Sequence, residues 1–267
     1  MRRWPTAIAA LAAVSALGWA LFHPELRPDP ATISAEIRAE LARTGFTSTQ
    51  GVAAAEFETH QSVDGMGEQA RSRQEIVPID AVLTEKRTRR RWKGAQDQVS
   101  GLYAGPLTVL RFDRDWPPLI GDLIPYALWS STLLTEFAIE ERHEFPHASG
   151  GRLVARATYE DRYAGGEVVQ TERVRLRCEV EKLVDAASVY AGLAGKAALL
   201  RCTETRESTL PGPKHPGTYT NGDAQYAHWY VLERGWSIAF EGESEFRLND
   251  APHVRKWRSK LLSFEAR

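Results

Sequence analysis

Residues 167–206 carry a pattern that a helix cannot satisfy. In EVVQTERVRLRCEV, Val174, Leu176, Cys178 and Val180 alternate with Arg173, Arg175 and Arg177. Successive side chains of a strand point to opposite faces, so the apolar set shares one face and the guanidinium groups take the other. KAALLRCTET repeats the device, with Ala198, Leu200 and Cys202 on one side. Each segment holds one of the two cysteines of the chain. Two half-buried strands with cysteines on their apolar faces predict a Cys178–Cys202 disulfide, provided the compartment is oxidising.

The same alternation recurs along most of the chain. AAEFETH, RQEIVPI, TEKRTRRRWK and LTVLRFD are candidate strands, with Asp64-Gly65 and the stretch from Gly101 to Pro106 as turns. TEFAIEERHEF and RLVARATYE follow, and Gly165-Gly166 signals a hairpin into the first cysteine strand. Residues 207–225, rich in Pro, Gly and Asn, are expected to form a polar loop. Further strands start at Trp229, at Trp236 and near Ser244. HVRKWRSKLLSF at the C-terminus fits either a helix or a strand. The fold class is therefore mainly β, an antiparallel sheet that is curved or rolled into a half-barrel. A short N-terminal helix precedes it, from Ile33, Ile37 and Leu41 spaced four apart with Gly45 at its stop.

The chain begins with a different signal. Met1-Arg2-Arg3 precedes nineteen uncharged residues, Trp4 to Phe22. A basic start before such a run marks export. As a helix it would span roughly 28 Å, about the hydrocarbon thickness of a bilayer. Residues 1–23 are thus either a cleaved signal peptide or an N-terminal transmembrane anchor. Residues 24–48 form a Pro-containing spacer with the short helix, and 49–267 the exported β-rich domain. The expected location is the periplasm or the outer face of the inner membrane, with a membrane contact through the N-terminal segment. At a formal net charge of −1, no global field recruits nucleic acid. Two cysteines are too few for a structural zinc site built of thiolates.

Few residue patterns carry chemistry, and no cofactor-binding motif is present. His143-Glu144-Phe145-Pro146-His147 matches the zinc-hydrolase spelling H-E-x-x-H. That motif brings His143 and His147 to one ion only on a helix, and Pro146 removes a backbone donor inside that turn. A coincidental strand end is the competing reading, so no metal or catalytic residue is assigned. Lys86, Arg87, Arg89, Arg90, Arg91 and Lys93 form a basic run. It suits either anionic head groups or a solvated strand whose charges meet Glu136, Glu140 or Glu144 on a neighbour. Tyr226, Trp229, Tyr230, Trp236 and Phe240, near His228 and Arg234, either line a groove or fill a core. Residues 116–134 are the most apolar stretch after the leader. Trp116, Leu119, Leu123, Trp129 and Leu133 are its candidates for lining an apolar ligand cavity.

The succession of Cys178, Gly195-Lys196-Ala197-Ala198-Leu199-Leu200-Arg201-Cys202 and Tyr230-Val231-Leu232-Glu233-Arg234-Gly235 resembles a pattern in exported bacterial β-sheet proteins that have no assigned reaction. It covers about a quarter of the chain. The resemblance implies an envelope location and a β fold, and adds no mechanism. The leading expectation is a non-enzymatic periplasmic domain that binds an envelope protein or lipid partner, or serves structurally. A carrier of a lipid or other hydrophobic ligand is the alternative, and a zinc hydrolase using His143, Glu144 and His147 the second.

Overall fold

A computed structural model of the protein describes residues 28–92, 95–116, 129–163, 167–210, 219–248 and 250–267. Within these residues, twelve strands follow one another as an antiparallel meander. They are β1 (Val52–Val63), β2 (Met66–Pro78), β3 (Leu83–Trp92), β4 (Ala95–Ala104), β5 (Leu107–Trp116) and β6 (Trp129–His143). After them come β7 (Arg152–Tyr163), β8 (Val168–Asp185), β9 (Lys196–Thr209), β10 (Tyr219–Val231), β11 (Trp236–Leu248) and β12 (Ala251–Ala266). Each pairs with its neighbour in sequence, and β1 also pairs with β12, so the sheet closes into a barrel. Closure leaves no edge strand among the described residues. An eight-stranded barrel is just filled by its own side chains, whereas one of about twelve strands encloses spare volume.

Alternation sets inside against outside. On β8 the buried set runs Gln170, Glu172, Val174, Leu176, Cys178, Val180, while Arg173, Arg175, Arg177 and Glu179 are exposed. The outer surface is laced with cross-strand ion pairs: Arg175 with Glu140 at 2.9 Å, Arg73 with Glu265 at 2.8 Å, Lys256 with Glu243 at 3.2 Å. A membrane-spanning barrel needs an outward apolar band instead. No helix among the described residues is long and apolar enough to cross a membrane. Residues 1–23, the expected signal or anchor, lie outside the described residues.

One end of the barrel is plugged by residues 28–51. Ser34 caps helix α1 (Ala35–Ala42) by accepting from the Ile37 amide at 3.2 Å. Ile33, Ile37 and Leu41 turn inward as their spacing required. The chain then crosses the barrel end, where Phe46 meets Phe145 and Tyr230 edge-on at 5.3 and 5.1 Å between ring centroids. Gly105 makes room for it: a Cβ there would lie 2.7 Å from Phe46 Cγ. The Thr47 amide donates to the Tyr230 hydroxyl at 3.1 Å, and the Thr49 amide to Thr84 Oγ1 at 2.7 Å. Leu41, Phe46, Leu102, Phe145, Leu153 and Leu200 fill this end as one buried cluster. A second cluster gathers Trp236, Ile238 and Leu261 with Ala186 and Leu193 of the β8–β9 excursion, which holds the short helix α2 (Ala186–Val189).

Cys178 and Cys202 face each other directly across β8 and β9 and are bonded, with 4.1 Å between their Cα atoms. Both lie in the first buried cluster. Several sequence expectations are corrected. The half-barrel is a full barrel, because β1 and β12 meet. Gly101 lies inside β4 rather than in a turn, and the polar stretch 207–225 contributes the end of β9 and the first half of β10, with 211–218 outside the described residues. The C-terminal segment is strand β12.

Candidate functional site

Beyond the plugged end, the inward positions turn polar and the barrel holds a cavity of about 580 Å³. Its formation is local. Lys86 on β3 pairs with Gly101 on β4, and a Cβ at Gly101 would stand 2.6 Å from the Leu110 carbonyl and 3.0 Å from the Tyr103 ring. The missing side chain lets Tyr103 fold over the strand. The Lys86 ammonium comes to 5.0 Å from the centre of that ring, within cation–π range. Lys86 is only 8% exposed, and no carboxylate among the described residues pairs with it. Burial pushes its pKa down to about 8.

His228 on β10 shares the cavity. Its ring stacks on Tyr226 at 5.9 Å, its exposure is 3%, and its Nε2 has no hydrogen-bond partner. Burial, assisted by the Lys86 charge, pushes its pKa down to about 3, so the imidazole is neutral at pH 7. Ser237 on β11 stands opposite Tyr230, one step diagonally from His228, and its buried hydroxyl is likewise unpartnered. Phe240, paired with His228 across the strands, is 38% exposed and lines the cavity.

The wall formed by β8, β9 and β10 is different, because its charges are paired. Arg206 Nη1 meets Glu172 Oε2 at 2.7 Å, and its Nη2 meets Glu204. Glu172 also accepts from Asn221 at 2.5 Å and from Gln170. The Tyr226 hydroxyl donates to Glu204 Oε1 at 2.8 Å, and burial keeps that phenol protonated well beyond its ordinary range. Asp161 accepts from Thr132 at 2.5 Å, and burial raises its pKa to about 6. Arg111 is paired with Asp113 at 2.6 Å.

The sequence candidates fall unevenly around this cavity. Lys86 and Arg90 of the basic run line it, whereas Arg87, with Glu85 at 2.7 Å, Arg89 and Arg91 alternate to the other face. Lys93 lies outside the described residues. The expected partners Glu136, Glu140 and Glu144 sit on or just after β6, which is not adjacent to β3, so the proposed pairing is corrected. Leu119 and Leu123 lie outside the described residues, as do the side chains of Trp116 and Trp129. Leu133 packs against the first buried cluster. The cavity is therefore lined by ions and hydroxyls as well as rings. His143 ends β6 and Glu144 has φ +48°, followed by a turn through Pro146 and His147. No helix brings His143 and His147 together, and among the described residues no three metal-ligating side chains cluster.

Glu172, Glu204, Arg206 and Tyr226 escaped notice in the sequence as a group. The period-2 face containing Val174 and Cys178 continues back to Glu172, and that of Cys202 forward to Glu204 and Arg206. A carboxylate on an otherwise buried face was the available signal. No family model, characterised protein or solved structure is significantly similar to the chain.

Proposed function

We propose that the barrel is a container protein that holds one small amphiphilic molecule in its lumen and works outside the cytoplasm. The observation that carries the reading is the pairing, inside one closed barrel, of a cavity of about 580 Å³ with both exposed ring surface and polar groups lacking partners. Ligand sites are concave, with apolar walls and a few polar groups that fix orientation. A purely apolar lipid fits less well, because Lys86, Arg111, Glu172 and Arg206 all line the space. Export is supported by the Cys178–Cys202 disulfide and by the basic, then apolar, run at the start of the sequence.

The test is uptake of N-phenyl-1-naphthylamine, a neutral dye that brightens in apolar surroundings. One saturable site per chain is expected, weakened several-fold by Phe240→Asp and unchanged by the outer-face variant Arg175→Gln. Absence of saturable uptake, or equal loss in both variants, overturns the reading.

A further inference from the structure

We propose that Lys86, His228 and Ser237 form an anion subsite at the lumen floor that receives the acid head of the amphiphile, whose apolar part lies along Phe240. This deepens the container reading and rests on it. The sign of the charge follows from which groups already have partners. The acids Glu172 and Glu204 are saturated by Arg206, Asn221, Gln170 and Tyr226. Lys86 has only the face of the Tyr103 ring. In the same cavity, His228 Nε2 and Ser237 Oγ are buried with nothing to bond.

Buried polar groups without partners are uncommon, because each forfeits its hydration. Two of them, from β10 and β11, share one cavity with the Lys86 ammonium from β3. The amine is close enough to the imidazole to depress its proton affinity. An oxyanion placed among them accepts from the ammonium, from the imidazole Nε2–H and from the hydroxyl. It thereby supplies the counter-charge that Lys86 lacks. For a cationic head, Glu172 and Glu204 are already paired and Asp161 on β7 accepts from Thr132, so none of the three is left without a hydrogen-bond partner. Phe240, directly across from His228, offers ring surface to whatever continues from the head.

The groups facing Lys86 are the Tyr103 ring from β4 and His228 from β10. Arg90 on its own strand, Arg111 on β5, Asp161 on β7, Glu172 on β8, Glu204 and Arg206 on β9, and Arg255 on β12 line the same cavity. An anion bound to the ammonium stabilises the charged form and raises the Lys86 pKa above its ligand-free value of about 8. Affinity for an anion then falls as pH rises above about 8, while affinity for a neutral molecule of the same shape stays level.

8-Anilinonaphthalene-1-sulfonate and N-phenyl-1-naphthylamine share a ring system and differ by the sulfonate, so the full-length protein is titrated with both. The expected result is at least tenfold tighter binding of the sulfonate. Lys86→Met should remove that preference by weakening the sulfonate far more than the neutral dye, and an unchanged far-ultraviolet circular dichroism spectrum reports that the variant is folded. In the unmodified protein the preference should shrink between pH 7.5 and 10. Equal binding of the two dyes, or a preference indifferent to both Lys86→Met and pH, overturns the subsite but leaves the container intact. Binding of neither dye overturns both.

Discussion

The Lys86 ammonium stands 5.0 Å from the centre of the Tyr103 ring and has no acidic partner among the described residues. A buried cation held this way costs the empty protein stability. Its pKa near 8, against 10.5 for a free lysine, corresponds to a penalty of up to about 3 kcal/mol at neutral pH. The penalty is fully present below pH 8. Between pH 8 and 10.5 the unfolded chain binds more protons than the folded one, so stability rises with pH. Lys86→Met should raise the ligand-free denaturation midpoint at pH 7 by the equivalent of about 2 kcal/mol. A lowered midpoint would show that the ammonium stabilises the barrel and is not held in readiness for a ligand.

His228 titrates with the opposite consequence on the acid side. Its folded pKa of about 3 lies below the ordinary 6.5, so between those values the unfolded chain takes up a proton that the folded one refuses. Stability is unaffected by this group above pH 6.5 and is lost as pH falls from 6.5 towards 3. Urea midpoints measured from pH 7 to 4 should decline less steeply in His228→Gln than in the unmodified protein. Identical slopes would mean that His228 is not desolvated as its burial implies.

What was legible in the sequence is what depends on neighbours along the chain. Val174 to Val180 against Arg173 to Arg177 gave β8 its faces, and Ile37 and Leu41 gave α1 its buried stripe, with Ile33 buried just ahead of its cap. Closure was not legible, because it depends on β1 meeting β12 about 200 residues away in sequence. The strand β4 was hidden by its composition. AQDQVSGLYA has little apolar alternation, and Gly101 resembles a turn residue until the close approach of Leu110 and Tyr103 is known. The basic run misled for another reason: dense charge drew attention away from a period of two, which sends Lys86 and Arg90 inward and Arg87, Arg89 and Arg91 outward.

The Cys178–Cys202 bond joins adjacent strands within the buried cluster at a sequence separation of 24. Closing a loop of that length restricts the unfolded chain and stabilises the fold by roughly 3.5 kcal/mol in the chain-entropy account. The double variant Cys178→Ala/Cys202→Ala should lose about that amount, with dye binding retained below its lower melting temperature. Two free thiols found by mass spectrometry in non-reduced protein recovered from an oxidising compartment would refute the bond.

The Arg206 guanidinium sits between two carboxylates, Glu172, with a 2% exposed side chain, and Glu204. Removing the cation alone strands one buried and one partly buried negative charge that repel each other. Arg206→Met should therefore cost about 3–5 kcal/mol, the usual penalty for breaking a buried pair from one side. Converting the acids as well, in Arg206→Met/Glu172→Gln/Glu204→Gln, removes the stranded charges while Tyr226 and Asn221 keep polar neighbours. The triple variant should regain at least half of the loss in a denaturant titration. If it is no more stable than Arg206→Met, the cost lies in the packing of the arginine stem along the wall, and the charge balance of this side of the lumen contributes little to the fold.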